Sequence, residues 1–144
     1  MIEQDTIRLL RECDSGARMG IASIDDVLDA VRRQDLRDIL LQCKLEHERI
    51  ADEIRVQLDK YQDDGKAPSP MAKGMSWLKT NAKLLTDPTD AAVADLMTDG
   101  CNMGVKSLSK YLNEYAAADE WSKDIAKKLI ALEAKLSEDM RDYL

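Results

Sequence analysis

The sequence predicts an all-α protein, a four-helix bundle assembled from two antiparallel hairpins that repeat one another. Gly16-Ala17-Arg18-Met19-Gly20 returns as Gly100-Cys101-Asn102-Met103-Gly104, 84 positions on (100 − 16), and the match continues through Ile21/Val105, Ser23/Ser107, Ile24/Leu108, Leu28/Leu112 and Asp35/Asp119. Apolar residues recur every three or four positions in four long stretches, the spacing that gathers them on one face of a helix. Only three prolines and six glycines interrupt 144 residues, of which 34% are charged and 44% apolar, a balance suited to amphipathic helices. This length fits one domain, residues 1–144, with a core large enough to need no staples.

In the first helix the inward stripe is Ile7, Leu10, Cys13, Ala17, Ile21, Ile24, Leu28 and Val31. It ends near Arg32-Arg33-Gln34 without Gly or Pro, and Asp35 is placed to N-cap the second helix, with Asp38 in its first turn, where the helix dipole favours a carboxylate. So short a joint forces an antiparallel hairpin. The second helix carries Leu36, Leu40, Cys43, His47, Ile50, Ile54, Leu58 and Tyr61 and stops before Asp63-Asp64-Gly65. Gly65 to Pro70 reads as a loop, with Ser69-Pro70 as cap and first residue of a short crossover helix. Met71, Met75, Leu78, Ala82 and Leu85 share the inner face of that helix, with Trp77 beside them. Asp87-Pro88 repeats the cap-and-proline signal before a third helix with Val93, Met97, Cys101, Val105, Leu108, Leu112 and Tyr115 inward. A second tight joint lies near Ala118-Asp119, and the fourth helix turns Ile125, Leu129, Leu132, Leu136 and Met140 to one side. Two tight hairpins and one long connection give the up-down-down-up bundle with a single crossover. In the second hairpin the register slips, so that the fourth helix matches the second best at an offset of 86 (136 − 50).

Composition excludes several partners. A formal net charge of −7 opposes binding to phosphate backbones and anionic membranes, which attract Lys and Arg clusters. Cys13, Cys43 and Cys101 are odd in number and widely spaced, which speaks against a disulfide framework and for reduced thiols in a cytosol. The first residues, Met1 to Asp5, show no basic and apolar signal regions, and no run reaches bilayer-spanning length. The expectation is a cytoplasmic protein with no nucleic-acid or membrane partner.

A glycine inside a helix is less favourable than alanine by about 1 kcal/mol, yet the first and third helices each carry two, one turn apart. Gly16, Gly20, Gly100 and Gly104 predict close packing of these helices, with Met19 and Met103 filling irregular space. A small apolar ligand pocket at this level, around Ala17 and the glycines, is the alternative, and it requires a cavity there. A phosphate-binding loop is excluded because the glycines sit within amphipathic helices.

The duplicated hairpin, the crossover with Ser69-Pro70 and Trp77, and the run Leu84-Leu85-Thr86-Asp87 resemble the ferritin-like superfamily, in particular its small uncharacterised bacterial four-helix members. That resemblance implies two irons held by a Glu on each of two helices and Glu-x-x-His on each of the other two. Here the corresponding positions hold Ala17, Cys101, Lys44 with His47, and Ile130 with Glu133. Ala17, Cys101, Lys44 and Ile130 replace the four expected glutamates, so a degenerate di-iron site is expected, and no cofactor.

His47, Cys101 and Glu133 lie near the midpoints of three helices, which offers a site for a single transition metal such as zinc or iron with an open position for water. Against it stands a core histidine hydrogen-bonded to a carboxylate, with Glu133 the natural partner. Asp14, Asp99, Glu46 and Glu48 lie off the stripes and are expected to face solvent. Cys43 is one turn from His47, but nothing supplies an oxyanion hole. These features predict a non-catalytic bundle acting as an interaction or self-association module, as a homo-oligomer or with a protein partner, through the crossover helix (Met71, Met75, Trp77, Leu78) and the helix ends near Trp121 and Tyr143. The alternative is a mononuclear metal-binding protein or oxidoreductase using His47, Cys101 and Glu133.

Overall fold

A computed structural model describes residues 2–63 and 87–144; the crossover segment, with Ser69-Pro70, Met71, Met75, Trp77 and Leu78, lies outside the described residues. Four long helices form the bundle: α1 (Ile2–Leu28), α2 (Gln34–Lys60), α3 (Asp90–Glu114) and α4 (Glu120–Asp139), followed by a 3-10 turn, Met140–Tyr143. α1 packs on α2 and α3 on α4 as two hairpins, and α1 touches all three other helices.

Each hairpin joint is held by the start of the other hairpin. The Arg32 and Arg33 amides donate to the Asp90 carboxylate at 2.7 and 3.1 Å, while the Ala117 and Asp119 amides donate to Asp5 Oδ2 and Thr6 Oγ1 at 3.1 and 2.9 Å. Asp5 and Thr6 are the repeat equivalents of Thr89 and Asp90, so the exchange is reciprocal. It sets the start of α3 beside the end of α1 and the start of α1 beside the end of α3, which makes these two helices antiparallel and the order up-down-down-up.

The helix starts differ in detail from the sequence reading. Asp119 caps α4 as expected, its side chain accepting from the Ser122 amide at 2.8 Å. α2 begins one residue before the expected cap: Arg33 is the N-cap without a side-chain bond, since a guanidinium has no acceptor to offer, and Asp35 instead accepts from Leu36 N–H and Arg33 Nη2. α3 is capped by Thr89, which accepts from Ala92 N–H at 3.1 Å, two residues past the expected Asp87. α2 ends with the Gln62 and Asp63 amides donating to Asp59 and Leu58 carbonyls and Gln62 at a φ of 56°, the left-handed residue that closes a Schellman motif.

The core divides into two apolar clusters. One holds Ile24, Val27, Leu36, Leu40, Cys43, Val93, Met97, Cys101, Leu136 and Met140; the other holds Leu9, Leu10, Cys13, Ala17, Ile50, Ile54, Leu58, Leu108, Ile125 and Leu129. On every helix one position separates them: Gly20, His47, Gly104 and Glu133. Asp14, expected in solvent, is buried at 1% exposure, because α1 is covered on three sides; Arg18 and Arg55 reach its carboxylate at 3.3 and 3.5 Å. Asp99 and Glu48 are exposed, and Glu46 is half-buried. Among the described residues no helix is long and apolar enough to cross a membrane.

Candidate functional site

His47 stands in the apolar stripe of α2, where an unpaired polar ring would be costly, and both its nitrogens are occupied. Nδ1 lies 2.8 Å from the Cys43 carbonyl oxygen, an acceptor only, so Nδ1 carries a proton and donates. Cys43 Sγ lies 3.5 Å from the same nitrogen. Nε2 lies 2.9 Å from Glu133 Oε1 across the bundle. Burial depresses the pKa of the ring, but its hydrogen bonds to Cys43 and Glu133 and the Glu133 charge outweigh this and raise it to about 10. His47 is therefore an imidazolium at neutral pH, donating from both nitrogens in a buried ion pair.

Cys101 joins the pair from α3. Burial is the main reason that its thiol is pushed well up from the usual range, with the neighbouring Glu133 charge and a hydrogen bond to that carboxylate adding to it. It stays a neutral thiol beside Glu133. The three residues singled out from sequence are thus brought to one place, but among the described residues no group of three or more His, Cys, Asp and Glu side chains is disposed to hold a metal ion. Lys44, at a position where the resemblance implies a glutamate, turns its ammonium to Asp25 at 2.6 Å, and Ala17 is fully buried in the second apolar cluster.

The glycines make room for this pair. A Cβ on Gly20 would fall 2.7 Å from both Cδ2 and Nε2 of His47, and one on Gly104 would fall 3.3 Å from Glu133 Cδ. What the missing Cβ atoms admit here is therefore side chain rather than helix backbone, and the arrangement is symmetric: Gly20 meets His47 as Gly104 meets Glu133. Gly16 is different, since its Cβ would meet only Leu108, at 3.8 Å.

Between α1 and α3 lies a cavity of about 90 Å³ whose lining repeats the sequence duplication. Gly16/Gly100, Met19/Met103, Gly20/Gly104, Ser23/Ser107 and Ile24/Leu108 all line it, with Met97 and Cys101 from α3 and His47 and Glu133 at its inner wall. Met103 is 49% exposed, so the wall reaches the surface there. Compared with known proteins, the chain matches no family model, no curated protein and no solved structure. The reading of this site thus rests on its own geometry.

Sequence reasoning located the glycines, methionines and the His47–Glu133 level, but it missed Glu12 and Tyr111, which also line the cavity. Their signal was present: both lie on the helix sides that carry Gly16 and Leu108, one turn away in each case. A second cavity of about 290 Å³ lies between α2 and α4, with Cys43, Asp38, Glu46, Lys135 and Asp139 around it.

Proposed function

We propose that this bundle binds a small, largely apolar organic molecule in the cavity between α1 and α3. The observation that carries the reading is that five repeat-related pairs of residues line a single cavity closed on its inner side by a buried ion pair. Mostly apolar pockets with a few convergent polar groups are the usual form of a small-molecule site. Methionines suit such walls because their flexible thioethers adapt to a ligand's shape. The bundle is further read as ferritin-like with a degenerate metal centre, which is supported by the duplicated hairpins and by Ala17, Cys101 and Lys44 at positions where carboxylates are expected. Self-association is the second reading: Trp121, at the start of α4, is 39% exposed, while half-buried Tyr143 lies beneath the Arg33 guanidinium at 5.0 Å and Met71, Met75, Trp77 and Leu78 lie outside the described residues.

The test uses toluene as a neutral apolar probe. In protein labelled at the methionine methyl groups, NMR titration is expected to give saturable shifts at Met19, Met97 and Met103, and Gly16→Leu, which fills the cavity from a position with space for a side chain, is expected to abolish them. Absence of saturable shifts in the wild-type protein up to the solubility limit of toluene refutes the reading.

A further inference from the structure

We propose that Cys43 is a site of oxidation by small hydroperoxides, which reach its sulfur through the cavity between α2 and α4 and convert it to a sulfenic acid. This site is separate from the α1–α3 cavity and does not depend on what that cavity binds. A thiol attacks as its thiolate, and reactive cysteines combine a cationic neighbour with access from solvent. Cys43 has both. Its Sγ lies 3.5 Å from Nδ1 of the His47 imidazolium, and that ring is fixed by the Cys43 carbonyl at 2.8 Å and by Glu133 at 2.9 Å. The cation is held against the sulfur and cannot turn away. Access comes from the cavity of about 290 Å³ that Cys43 lines together with the exposed Asp38, Gln42 and Lys135.

The other two thiols supply the contrast within one molecule. Cys13 is fully buried, and burial followed by the Glu12 and Asp14 carboxylates pushes it up to about 12. Cys101 lines the α1–α3 cavity, but burial and the Glu133 charge keep it a neutral thiol. Of the three, only Cys43 pairs an opening with a hydrogen bond from a cation. The lining also selects a neutral oxidant: Asp38, Glu46 and Asp139 place three carboxylates around the cavity, and the Lys135 ammonium is held by Asp139 at 3.1 Å. Hydrogen peroxide carries no charge, whereas an anionic oxidant meets like charge there.

The step balances with peroxide as the one co-reactant. The Cys43 thiolate attacks a peroxide oxygen, the S–O bond forms as the O–O bond breaks, and hydroxide leaves. Sulfur gives up two electrons and the peroxide takes them, while the proton released by the thiol returns to hydroxide as water. His47 keeps both its protons and acts as a positioning residue.

The test exposes the full-length protein to hydrogen peroxide at pH 7, quenches with catalase, denatures in dimedone and reads the sulfenic adduct at each cysteine by peptide mass spectrometry. Cys43 is expected to react at least tenfold faster than Cys13 and Cys101. Gln42→Trp, which crowds the cavity from an exposed position, is expected to slow Cys43 at least threefold and leave the other two unchanged. The His47→Gln/Glu133→Gln double variant, which removes the cation without leaving a buried charge unpaired, is expected to slow Cys43 at least tenfold. A wild-type rate at Cys43 within tenfold of either other cysteine overturns the proposal, as does an unchanged Cys43 rate in either folded variant. If the double variant is unfolded, seen as all three thiols reacting alike, the wild-type ratio and Gln42→Trp decide.

Discussion

His47 and Glu133 occupy equivalent positions in the two hairpins, 86 residues apart, and they hydrogen-bond to each other at 2.9 Å. In a duplicated structure the residues nearest the pseudo-twofold axis meet their own counterparts, and here duplication has placed opposite charges at that meeting point. Removing one partner leaves a buried charge without compensation, which costs about 3–5 kcal/mol. Glu133→Gln is expected to lower the stability in urea by that amount, and the His47→Gln/Glu133→Gln double variant is expected to recover part of it. A single variant as stable as the wild type would show that the pair is not the closed ionic contact described above.

The same pair sets a pH dependence. The pKa of His47 is raised in the folded protein from 6.5 to about 10, so its contribution is complete below the unfolded value and is lost as pH rises through the folded one. Stability is expected to fall between about pH 6.5 and 10, with a slope approaching about 1.4 kcal/mol per pH unit. The groups facing the ring are Cys43 on α2, Glu133 on α4 and Gly20 on α1, with Cys101 on α3 beside Glu133. The buried thiols act in the same direction at the alkaline end, since Cys101 is pushed up and Cys13 is raised to about 12. Urea melts at pH 7 and pH 9 check this, and Glu133→Gln should lose most of the slope over that interval.

Much of this was legible beforehand because helices obey local periodicity. Of the stripe expected on α2, Leu36, Leu40, Cys43, His47, Ile50, Ile54 and Leu58 are buried, and Tyr61 at its end is half-buried. The glycine repeat marked the level of the site, and Glu133 was read as a partner for His47. What local patterns could not supply was the outcome of helix–helix geometry. Asp14 is buried because α1 is covered from three sides, and the Arg33 amide at the start of α2 is taken by Asp90, 57 residues away. Nor does any spacing state whether two facing glycines close upon each other or leave a cavity; that depends on the His47 ring claiming the space at Gly20.

Metal binding at His47, Cys101 and Glu133 is opposed by protons. A ligating histidine nitrogen must be unprotonated and a ligating cysteine ionised, whereas here Nε2–H is held by Glu133 and the Cys101 thiol is strongly neutral. Protein purified without chelator under reducing conditions is expected to carry no stoichiometric metal at pH 7, and zinc, iron(II) or manganese is expected to leave its melting temperature unchanged. A one-to-one metal content that disappears in His47→Ala would assign these residues as ligands instead.

Gln62 closes the α2 Schellman motif in the left-handed region, where a residue with a Cβ is strained and glycine is not. The motif places Asp63 where it forms an ion pair with Arg11 of α1. Gln62→Gly is expected to stabilise the protein by about 0.5–1 kcal/mol, relief of strain outweighing the entropy that glycine adds to the unfolded chain. Thermal melts of the two proteins read this directly, and a destabilised variant would mean that the Gln62 side chain has a role of its own.

The two glycines of α1 offer an internal control. At both positions alanine gains about 1 kcal/mol in intrinsic helix preference, so any difference between them reports the tertiary surroundings. At Gly16 the new methyl would meet Leu108 at an ordinary 3.8 Å, whereas at Gly20 it would stand 2.7 Å from two atoms of the His47 ring and 3.5 Å from Glu133 Oε1. The ring cannot retreat easily, since both its nitrogens are tied. Gly16→Ala is therefore expected to raise stability by up to about 1 kcal/mol, and Gly20→Ala to lower it by about 1–3 kcal/mol through overpacking. Gly20→Ala should also shift the His47 titration, seen by NMR of the ring protons, while Gly16→Ala should not. Equal effects at the two sites would mean that the ring does not occupy the space beneath Gly20, and the account of the second glycine in each repeat would fall with it.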